Sequence, residues 1–286
     1  STALIPAASS SGDARQRARL FLERDPLLNY SAARALLYED AVVAGMAESG
    51  EAIVGVAIAG RSKGGEPPLI WLDAIGPVAL RRLLATLRRP PRRFLVQRPW
   101  MGAVLSSGLG PSRVRHEIEL FAGVSVPDAR DEVERESREP IAPAIPLTME
   151  ALEALRAGSS AWNLAALAEQ VARGGEAYGV ILDGALVAHA ACGFPAGSVE
   201  EITHVFTAPG WRRKGLAQAV TLAAARAIHR RGHRPLYRSR TGNTASRRVA
   251  ERCGLIHFVS VRELLLDARG ARGHSLDGSS RIASNF

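Results

Sequence analysis

The chain has 286 residues, of which 47% are hydrophobic and 23% charged, so its composition is that of an ordinary globular protein and its length favours two domains. Its net charge of +9 suits an anionic partner such as a nucleotide cofactor, an acidic metabolite or nucleic acid. Only two cysteines occur and no Cys/His cluster has ligand spacing, so we expect neither a disulfide scaffold nor a metal site.

The sequence contains no apolar run near the roughly 20 residues of a membrane span. Residues 1–6 show no basic patch followed by an apolar core, so no signal peptide is predicted. We therefore expect a cytoplasmic protein with no membrane partner.

Charged and proline-rich residues near the middle divide the chain. Asp128–Glu139 has almost nothing to bury, and Pro140, Pro143 and Pro146 follow at three-residue spacing, which favours an exposed, stiffened linker. The predicted organisation is an N-terminal domain over 1–126, a linker over 127–144, a second domain over 145–270 and a flexible tail over 271–286.

The first half shows alternating helical and strand patterns. The predicted helices are Ala14–Leu22, Ser31–Leu37 and Val78–Leu87, and the predicted strands are Ala41–Met46, Ala52–Ala59, Leu69–Leu72, Arg93–Gln97 and His116–Ala122. This half is predicted to be a mixed α/β domain without a compact chemical motif.

The second half repeats that mixture. Asp183-Gly184 indicates a tight hairpin, because both residue types tolerate positive φ. The predicted helices are Thr148–Ala157, Ala161–Arg173, Leu216–Arg231 and Thr244–Cys253, and the predicted strands are Tyr178–Leu182, Ala185–Cys192, Glu200–Thr207, Pro235–Arg240 and Ile256–Leu266. The order predicts an α/β fold whose sheet begins largely antiparallel.

A basic turn lies between the strand Glu200–Thr207 and the helix that follows it. It reads Arg212-Arg213-Lys214-Gly215-Leu216-Ala217. Amides at a helix start point outward and the helix dipole favours anions, so this order of elements predicts a phosphate cradle.

This turn resembles a known family. Arg212-x-x-Gly215-x-Ala217 matches the Gln/Arg-x-x-Gly-x-Gly/Ala signature of the GNAT acyltransferase superfamily. Asn243, Ser246 and Gly254-Leu255 have the spacing of the superfamily's downstream Asn-x-x-Ala…Gly-Phe pattern. The resemblance covers about residues 145–266.

The resemblance implies an acyl-CoA-dependent N-acyltransferase, and an N-acetyltransferase in particular. It would move the acyl group of acetyl-CoA, or of another acyl-CoA, to a primary amine by direct attack in a ternary complex. The acceptor would be a small-molecule amine, an amino acid or a peptide N-terminus, and the protein a monomer or homodimer. The residues implied to bind the cofactor are Val205, Phe206, Thr207, Arg212, Arg213, Lys214, Gly215, Leu216, Ala217, Asn243 and Ser246.

The first half contains no Arg-x-x-Gly-x-Gly/Ala motif after a strand. Its size and α/β order nevertheless resemble a second, degenerate GNAT-like module, an arrangement found in glycine N-acyltransferase-like members. The fold class expected is therefore α/β (α+β), with two modules in tandem, each a mixed and mostly antiparallel sheet flanked by helices.

The acceptor amine must lose a proton, so the site needs a base. By strand position Glu201 aligns with the glutamate that serves as base in some members of the superfamily, and Glu200 and His204 are alternatives. Strand alternation predicts Glu201 on the opposite face from both alternatives, so that only one face is catalytic.

One position departs from the family. Many members have a tyrosine seven residues after the helix asparagine, where it protonates the leaving thiolate, but this chain has Ala250. Tyr237, Tyr178 and Ser246 are the candidate replacements.

Two other functions remain open at this point. The missing tyrosine is compatible with a catalytically weak acyl-CoA-binding or sensing module. Thr244–Leu255, with Arg247, Arg248 and Arg252, has the charge of a recognition helix in a basic nucleic-acid-binding protein. A strand rather than a helix precedes that segment, which favours the acyltransferase.

Overall fold

The computed structural model describes residues 12–61, 65–87, 92–123, 142–155 and 164–266. The first half contains α1 (Gly12–Leu22), α2 (Pro26–Tyr38), β1 (Val42–Ser49), β2 (Ala52–Ala59), β3 (Leu69–Ala74), α3 (Pro77–Thr86), β4 (Arg93–Val96), α4 (Pro99–Leu109) and β5 (Ser112–Ala122). The second half contains β6 (Ile145–Pro146), α5 (Met149–Leu155), α6 (Leu164–Ala172), β7 (Ala177–Leu182), β8 (Ala185–Cys192), β9 (Val199–Thr207), α7 (Leu216–Arg230), β10 (Arg234–Arg240), α8 (Thr244–Arg252) and β11 (Ile256–Leu266). The predicted tail and most of the predicted linker lie outside the described residues.

All the strands join one sheet in the order β1-β2-β3-β4-β11-β5-β10-β9-β8-β7-β6. Only β3 with β4 and β9 with β10 pair in parallel, and the other described pairs are antiparallel. The predicted fold class, a mixed and mostly antiparallel sheet flanked by helices, is confirmed. The last strand of each half lies inside the sheet of the other half, because β11 lies between β4 and β5, and β5 between β11 and β10.

Helices cover both faces of this sheet. α3 and α4 bury Leu80, Leu83 and Leu105 against the strands of the first half, and α7 and α8 pack in the same way on the second half. On β10, Leu236 packs with the α1–α2 cluster and Tyr237 with the α7–α8 cluster. Because successive strand residues point to opposite faces, α1 and α2 lie on the opposite face from α7 and α8.

The α1–α2 cluster joins the two halves. Apolar residues of α1 and α2 pack against strands from both parts of the chain. The strand residues involved are Val56, Ile58, Leu95, Leu120, Val199, Leu236 and Val261. Burial of this shared surface stabilises the halves as one body.

Local turn chemistry is confirmed at Asp183-Gly184, where φ is 50° and 73°, as the hairpin between β7 and β8 requires. The sequence analysis missed α4, because Gly102 and Gly108 lower its helix propensity. Pro99 starts this helix, and burial of Met101, Val104 and Leu105 stabilises it. β6 was also missed, since so short a strand has no recognisable pattern of its own.

Candidate active site

The basic turn before α7 contains two residues in the left-handed region. Arg213 has φ 63° and Gly215, the N-cap of α7, has φ 78°. The amide of Ala219 donates to the carbonyl of Gly215 at 3.0 Å, as the first bond of the helical ladder. The Arg212 amide donates to the Pro209 carbonyl at 3.3 Å, whereas the amides from Arg213 to Ala217 precede the helical ladder, where a helix leaves its amides available to a ligand.

The charge around this turn suits an anion. α7 has no acidic residue in its first turn, while Arg212, Arg213 and Lys214 are exposed. The Lys214 ammonium lies 4.4 Å from the centroid of the Trp211 ring, and Arg212 Nε donates to the Thr207 carbonyl at 3.3 Å. Backbone amides, a helix N-terminus and three cations therefore occur together in this turn, a combination that suits an anion.

The strand before the turn separates from its parallel neighbour. In-register pairing between β9 and β10 ends at Ile202 and Tyr237, although β9 continues to Thr207. On its other side β9 pairs with β8 through a bulge, and His204 within that bulge has φ 53°. The bulge increases the local twist and opens a gap between β9 and β10.

Two predicted cofactor residues lie on the separated part of β9. Phe206 stacks on the His189 ring with centroids 5.4 Å apart. Thr207 Oγ1 is buried and, among the residues that the structure describes, has no hydrogen-bond partner. A buried hydroxyl without a partner costs free energy, so this atom is a natural contact for a ligand in the gap.

A cavity of about 400 Å³ occupies this gap. It passes through the sheet, because its walls include α2 on one face and α8 on the other. The lining residues are Tyr30, Arg34, Gln170, Gly193, Phe194, Glu201, Ile202, Thr203, His204, Val205, Tyr237, Arg238 and Ser246. Of the site residues predicted from the sequence, Glu201, Val205 and Ser246 line this cavity.

On the α2 side, Glu201 is held by Arg238. The guanidinium donates from Nε to Oε1 at 2.5 Å and from Nη2 to Oε2 at 2.8 Å. Arg238 Nη1 also donates to Ser31 Oγ of α2 at 3.1 Å. This fork-to-fork pair fixes the orientation of the Glu201 carboxylate at the cavity wall.

His204 lines the same cavity as Glu201, although strand alternation predicts these two residues on opposite faces of the sheet. The bulge in β9 inserts an extra residue and resets the alternation. Burial lowers the pKa of His204, and the nearby charge of Glu201 opposes that shift only in part. His204 is therefore neutral at pH 7 and able to accept a proton.

Glu200 lies elsewhere, as alternation predicts. Its carboxylate is almost fully buried and accepts from Arg231 at 2.7 Å and from His233 at 3.0 Å. Glu200 is not among the residues that line the cavity. A structural ion pair accounts for this residue.

On the α8 side, Tyr237 Oη and Ser246 Oγ are 2.8 Å apart. Burial raises the pKa of Tyr237, and its hydrogen bond with Ser246 opposes the shift. Asn243 is the N-cap of α8, and its side chain accepts from the Ser246 amide at 3.1 Å. Asn243 thus fixes the start of the helix that carries Ser246.

The other two tyrosine-related positions are removed from the cavity. Tyr178 Oη donates to Glu176 at 2.8 Å, and burial together with that bond raises the pKa of Tyr178 to about 12. Ala250 is fully buried in the core beneath α7 and α8. Of the replacement acids considered from the sequence, only Tyr237 and Ser246 line the cavity.

The sequence analysis did not name eight of the lining residues, among them Tyr30, Arg34 and Arg238. Tyr30 and Arg34 come from α2, and Arg238 from β10. Tyr30 Oη donates to the Phe194 carbonyl at 2.8 Å, a bond between residues 164 apart in sequence. Their four-residue spacing on a helix indicates a shared face but gives no sign of the strand that faces it.

None of the described helices is long and apolar enough to cross a membrane. In the same part of the chain, no group of three or more His, Cys, Asp or Glu side chains has the geometry of a metal site.

Comparisons with known proteins agree with this architecture. Residues 177–262 match the family model described as FR47-like protein, whereas no curated protein matches the chain. An acetyltransferase from the GNAT family of Colwellia psychrerythraea is similar with a TM-score of 0.60 at 12% identity, over 93% of this chain and 99% of that chain.

Two further solved structures are similar over most of their length. A GCN5-related N-acetyltransferase from Kribbella flavida gives a TM-score of 0.56 at 20% identity, over 90% of this chain and 98% of that one. A tandem GNAT protein from the clavulanic acid biosynthesis pathway gives 0.57 at 13% identity, over 92% and 97%. The resemblance to the GNAT superfamily and the tandem arrangement of its fold are confirmed.

Proposed function

We propose that this protein, which has the tandem GNAT fold, is an acyl-CoA-dependent N-acyltransferase that acetylates a primary amine. The observation that carries the proposal is the turn of Arg212–Ala217, whose free amides and cations open beside the separated strands β9 and β10. An anion-binding turn and a through-sheet cavity are what a long phosphorylated thioester and a separate acceptor require.

The residues present fit coenzyme A. The amides from Arg213 to Ala217 would hold the pyrophosphate, with Arg212, Arg213 and Lys214 supplying charge. The separated edge of β9 at Val205–Thr207 would pair with the pantetheine, and Thr207 Oγ1 offers a polar contact there. When bound, the co-substrate supplies an activated acyl group as a thioester.

The overall transfer forms one N–C bond and breaks one C–S bond. The acceptor nitrogen loses a proton and the sulfur gains one, so no oxidant, reductant or metal is consumed. A backbone amide of β9 near Val205 would donate to the carbonyl oxygen as negative charge develops there.

We assign the proton-accepting side to Glu201 and His204. Glu201, held in place by Arg238, attracts the ammonium form of the acceptor and orients it. Glu201 as the base itself, through a bound water, is the prediction from sequence, but both its oxygens already accept from a guanidinium. The neutral His204 imidazole beside it is therefore the better proton acceptor.

The proton-donating side is assigned to Tyr237 with Ser246. Burial keeps the Tyr237 hydroxyl protonated, and the 2.8 Å bond to Ser246 holds it at the α8 side of the cavity. This pair would serve in place of the tyrosine that Ala250 replaces, by passing a proton to the leaving sulfur.

Binding and turnover of acetyl-CoA test the proposal. Acetyl-CoA at 100 times its Kd should raise the free energy of unfolding by about 2.7 kcal/mol, and thiol release should rise with a suitable amine. Gly215→Glu forces a side chain into the left-handed region and places a carboxylate at the phosphate site, so affinity should fall on the order of 100-fold. The matched control is Gly210→Ala, because a Cβ there meets nothing within 4 Å.

Three outcomes would contradict parts of the proposal. Acetyl-CoA binding without turnover across a broad panel of amines would favour a sensing module. Salt-sensitive binding to duplex DNA with no response to CoA would favour a nucleic-acid-binding protein. Equal acetyl-CoA affinity in Gly215→Glu and Gly210→Ala would remove the phosphate role of the turn.

A further inference from the structure

The charged side chains of the cavity are confined to its α2 side. Among the described residues these are Arg34, Glu201 and Arg238. The bidentate bond with Arg238 neutralises Glu201 as a net charge. His204 contributes no charge at pH 7, because burial lowers its pKa. The balance at this wall is one positive charge, carried by Arg34.

Arg34 is close to the other groups of this wall. Burial raises the pKa of Tyr30, the charge of Glu201 raises it further, and the charges of Arg34 and Arg238 oppose that rise. The Arg34 guanidinium therefore lies within electrostatic range of the Tyr30 hydroxyl. That hydroxyl already donates to the Phe194 carbonyl, which fixes the position of the Tyr30 side chain in the cavity wall. Arg34 therefore remains the group of α2 that can bind a ligand.

The existing partner of Arg34 is replaceable. Arg34 Nη2 donates to Glu39 at 2.5 Å, with side chains 32% and 39% exposed. Ion pairs this accessible to water contribute little to stability, and Glu39 is not a lining residue of the cavity. A ligand carboxylate in a less hydrated position would compete well for the same guanidinium.

We infer that the acceptor is a small amino acid, an amine whose own carboxylate binds Arg34 while its amino group faces Glu201 and His204. This inference rests on the proposed function and specifies its acceptor. Arginine recognises a carboxylate through a planar fork of two donors, which gives direction as well as attraction. A cavity of about 400 Å³ also suits a small acceptor. Polyamines are disfavoured, because the one carboxylate among the described lining residues is already paired with Arg238.

The test compares each amino acid in a panel with its primary amide and its decarboxylated amine. Thiol release is measured at saturating acetyl-CoA, and binding of the same compounds is measured with CoA present as a dead-end partner. The carboxylate should raise kcat/KM, and tighten binding, by about 10- to 150-fold relative to the amide, as a charge-assisted hydrogen bond would.

Arg34→Gln should bring that ratio to within about 3-fold of one, chiefly through KM, while the Kd of acetyl-CoA stays unchanged. Glu39→Gln is the matched control, since it frees Arg34 and should preserve or increase the ratio. Arg19→Gln removes another exposed arginine, paired with Glu23, and should leave the ratio unchanged.

The inference is overturned if amides or decarboxylated amines are used and bound as well as the amino acids, or if Arg34→Gln leaves the ratio intact. Failure of the proposed function has a different result, namely no stabilisation by acetyl-CoA and no thiol release with any amine. Binding in the presence of CoA decides the question of the carboxylate even where turnover is absent.

Discussion

The two halves of the molecule have the same order of elements but differ at one connection. Apart from the short strand β6, which precedes α5 in the second half, each half has two helices, three antiparallel strands, a helix, a parallel strand, a helix and a final strand. In the second half the chain between β9 and α7 runs from Ala208 to Gly215. In the first half only Ile75 and Gly76 separate β3 from α3.

The short connection between β3 and α3 leaves the first half without an equivalent of the anion site proposed before α7. In the second half, two left-handed residues, Arg213 and Gly215, precede α7. The two-residue connection before α3 is too short to form the same turn. Pro77 also lies in the first turn of α3 and lacks an N–H group. The first half therefore has no counterpart of the proposed phosphate cradle at this connection, although the order of its elements is similar.

The regions beside the two parallel strand pairs also differ, because the region at β3 and β4 is filled by side chains and the region at β9 and β10 contains a cavity. In the first half Asp73 accepts from Asn29 at 3.0 Å and from Arg98 at 2.8 Å, which joins β3, α2 and the end of β4. In the second half the corresponding region holds the large cavity between β9 and β10. Asn29 anchors α2 to β3 through Asp73, and the next residue of that helix, Tyr30, lines the cavity of the second half. The first half thus forms one side of that cavity.

The largest expected effect follows from the exchanged strands. Residues 142–266 alone would lack β5, which pairs along the whole of β11 and also with β10. Unpaired strand groups and exposed apolar residues should abolish cooperative unfolding, as measured by circular dichroism during thermal denaturation. The chain 112–266 keeps β5 and should regain part of the transition. Acetyl-CoA binding by 142–266 at the affinity of the full chain would contradict this view.

Next in size is the effect of breaking the network that fills the first half. Asp73→Ala leaves Arg98 and Asn29 without their shared partner and should lower the free energy of unfolding by about 3 kcal/mol. Because α2 loosens, KM for the acceptor should rise while the Kd of acetyl-CoA stays constant. Chemical denaturation and steady-state kinetics measure the two effects. Glu66→Gln, at an exposed ion pair of the same half, should change neither, and a matching loss there would show a nonspecific charge effect.

His204→Gln tests the chemistry that the second half alone carries. Loss of a general base should reduce kcat on the order of 100-fold with little change in the Kd of acetyl-CoA. Burial lowers the pKa of His204, so the wild-type rate should fall only when the pH drops below about 6.5, as the imidazole becomes protonated. The variant should lose that acidic limb. A variant that keeps both the rate and the limb would return the role of base to Glu201.

Much of the fold was predictable because it depends on local pattern. The bounds of β2, β8 and β11 agree with the sequence analysis, and so does the turn at Asp183-Gly184, since alternation and turn propensity are properties of neighbouring residues. The exchange of β5 and β11 was not predictable, because either strand fits an antiparallel edge equally well. Strand order depends on packing between distant segments.

The candidate site likewise has one part that the sequence indicates and another part that only the fold brings together. The Arg212–Ala217 turn is contiguous, and its sequence indicates its geometry directly. The bulge of β9 that contains His204 includes no glycine or proline that would indicate it in the sequence. Arg34 and Arg238 are ordinary arginines in sequence, and only their approach across the two halves gives them a shared cavity.

The smallest expected effect concerns Tyr237, on the face of the sheet that α8 covers, and compares the cavities of the two halves on that face. Beside β4 and α4 lies a cavity of only about 200 Å³, lined by residues of the first half such as Val96 and Gly102 and by residues of β11, and none of its described lining residues is a tyrosine. Tyr237→Phe in the second half removes the hydroxyl bonded to Ser246 and should lower kcat about 10-fold, since a thiol of pKa near 8.5 needs modest help to leave. Tyr178→Phe is the control, because its hydroxyl is bonded to Glu176 away from the cavity. If both variants keep the wild-type rate in a single-turnover measurement, the thiolate leaves without an acid from the chain. The cavity beside β9 and β10 would then differ from the cavity beside β4 and α4 in volume and not in supplying an acid.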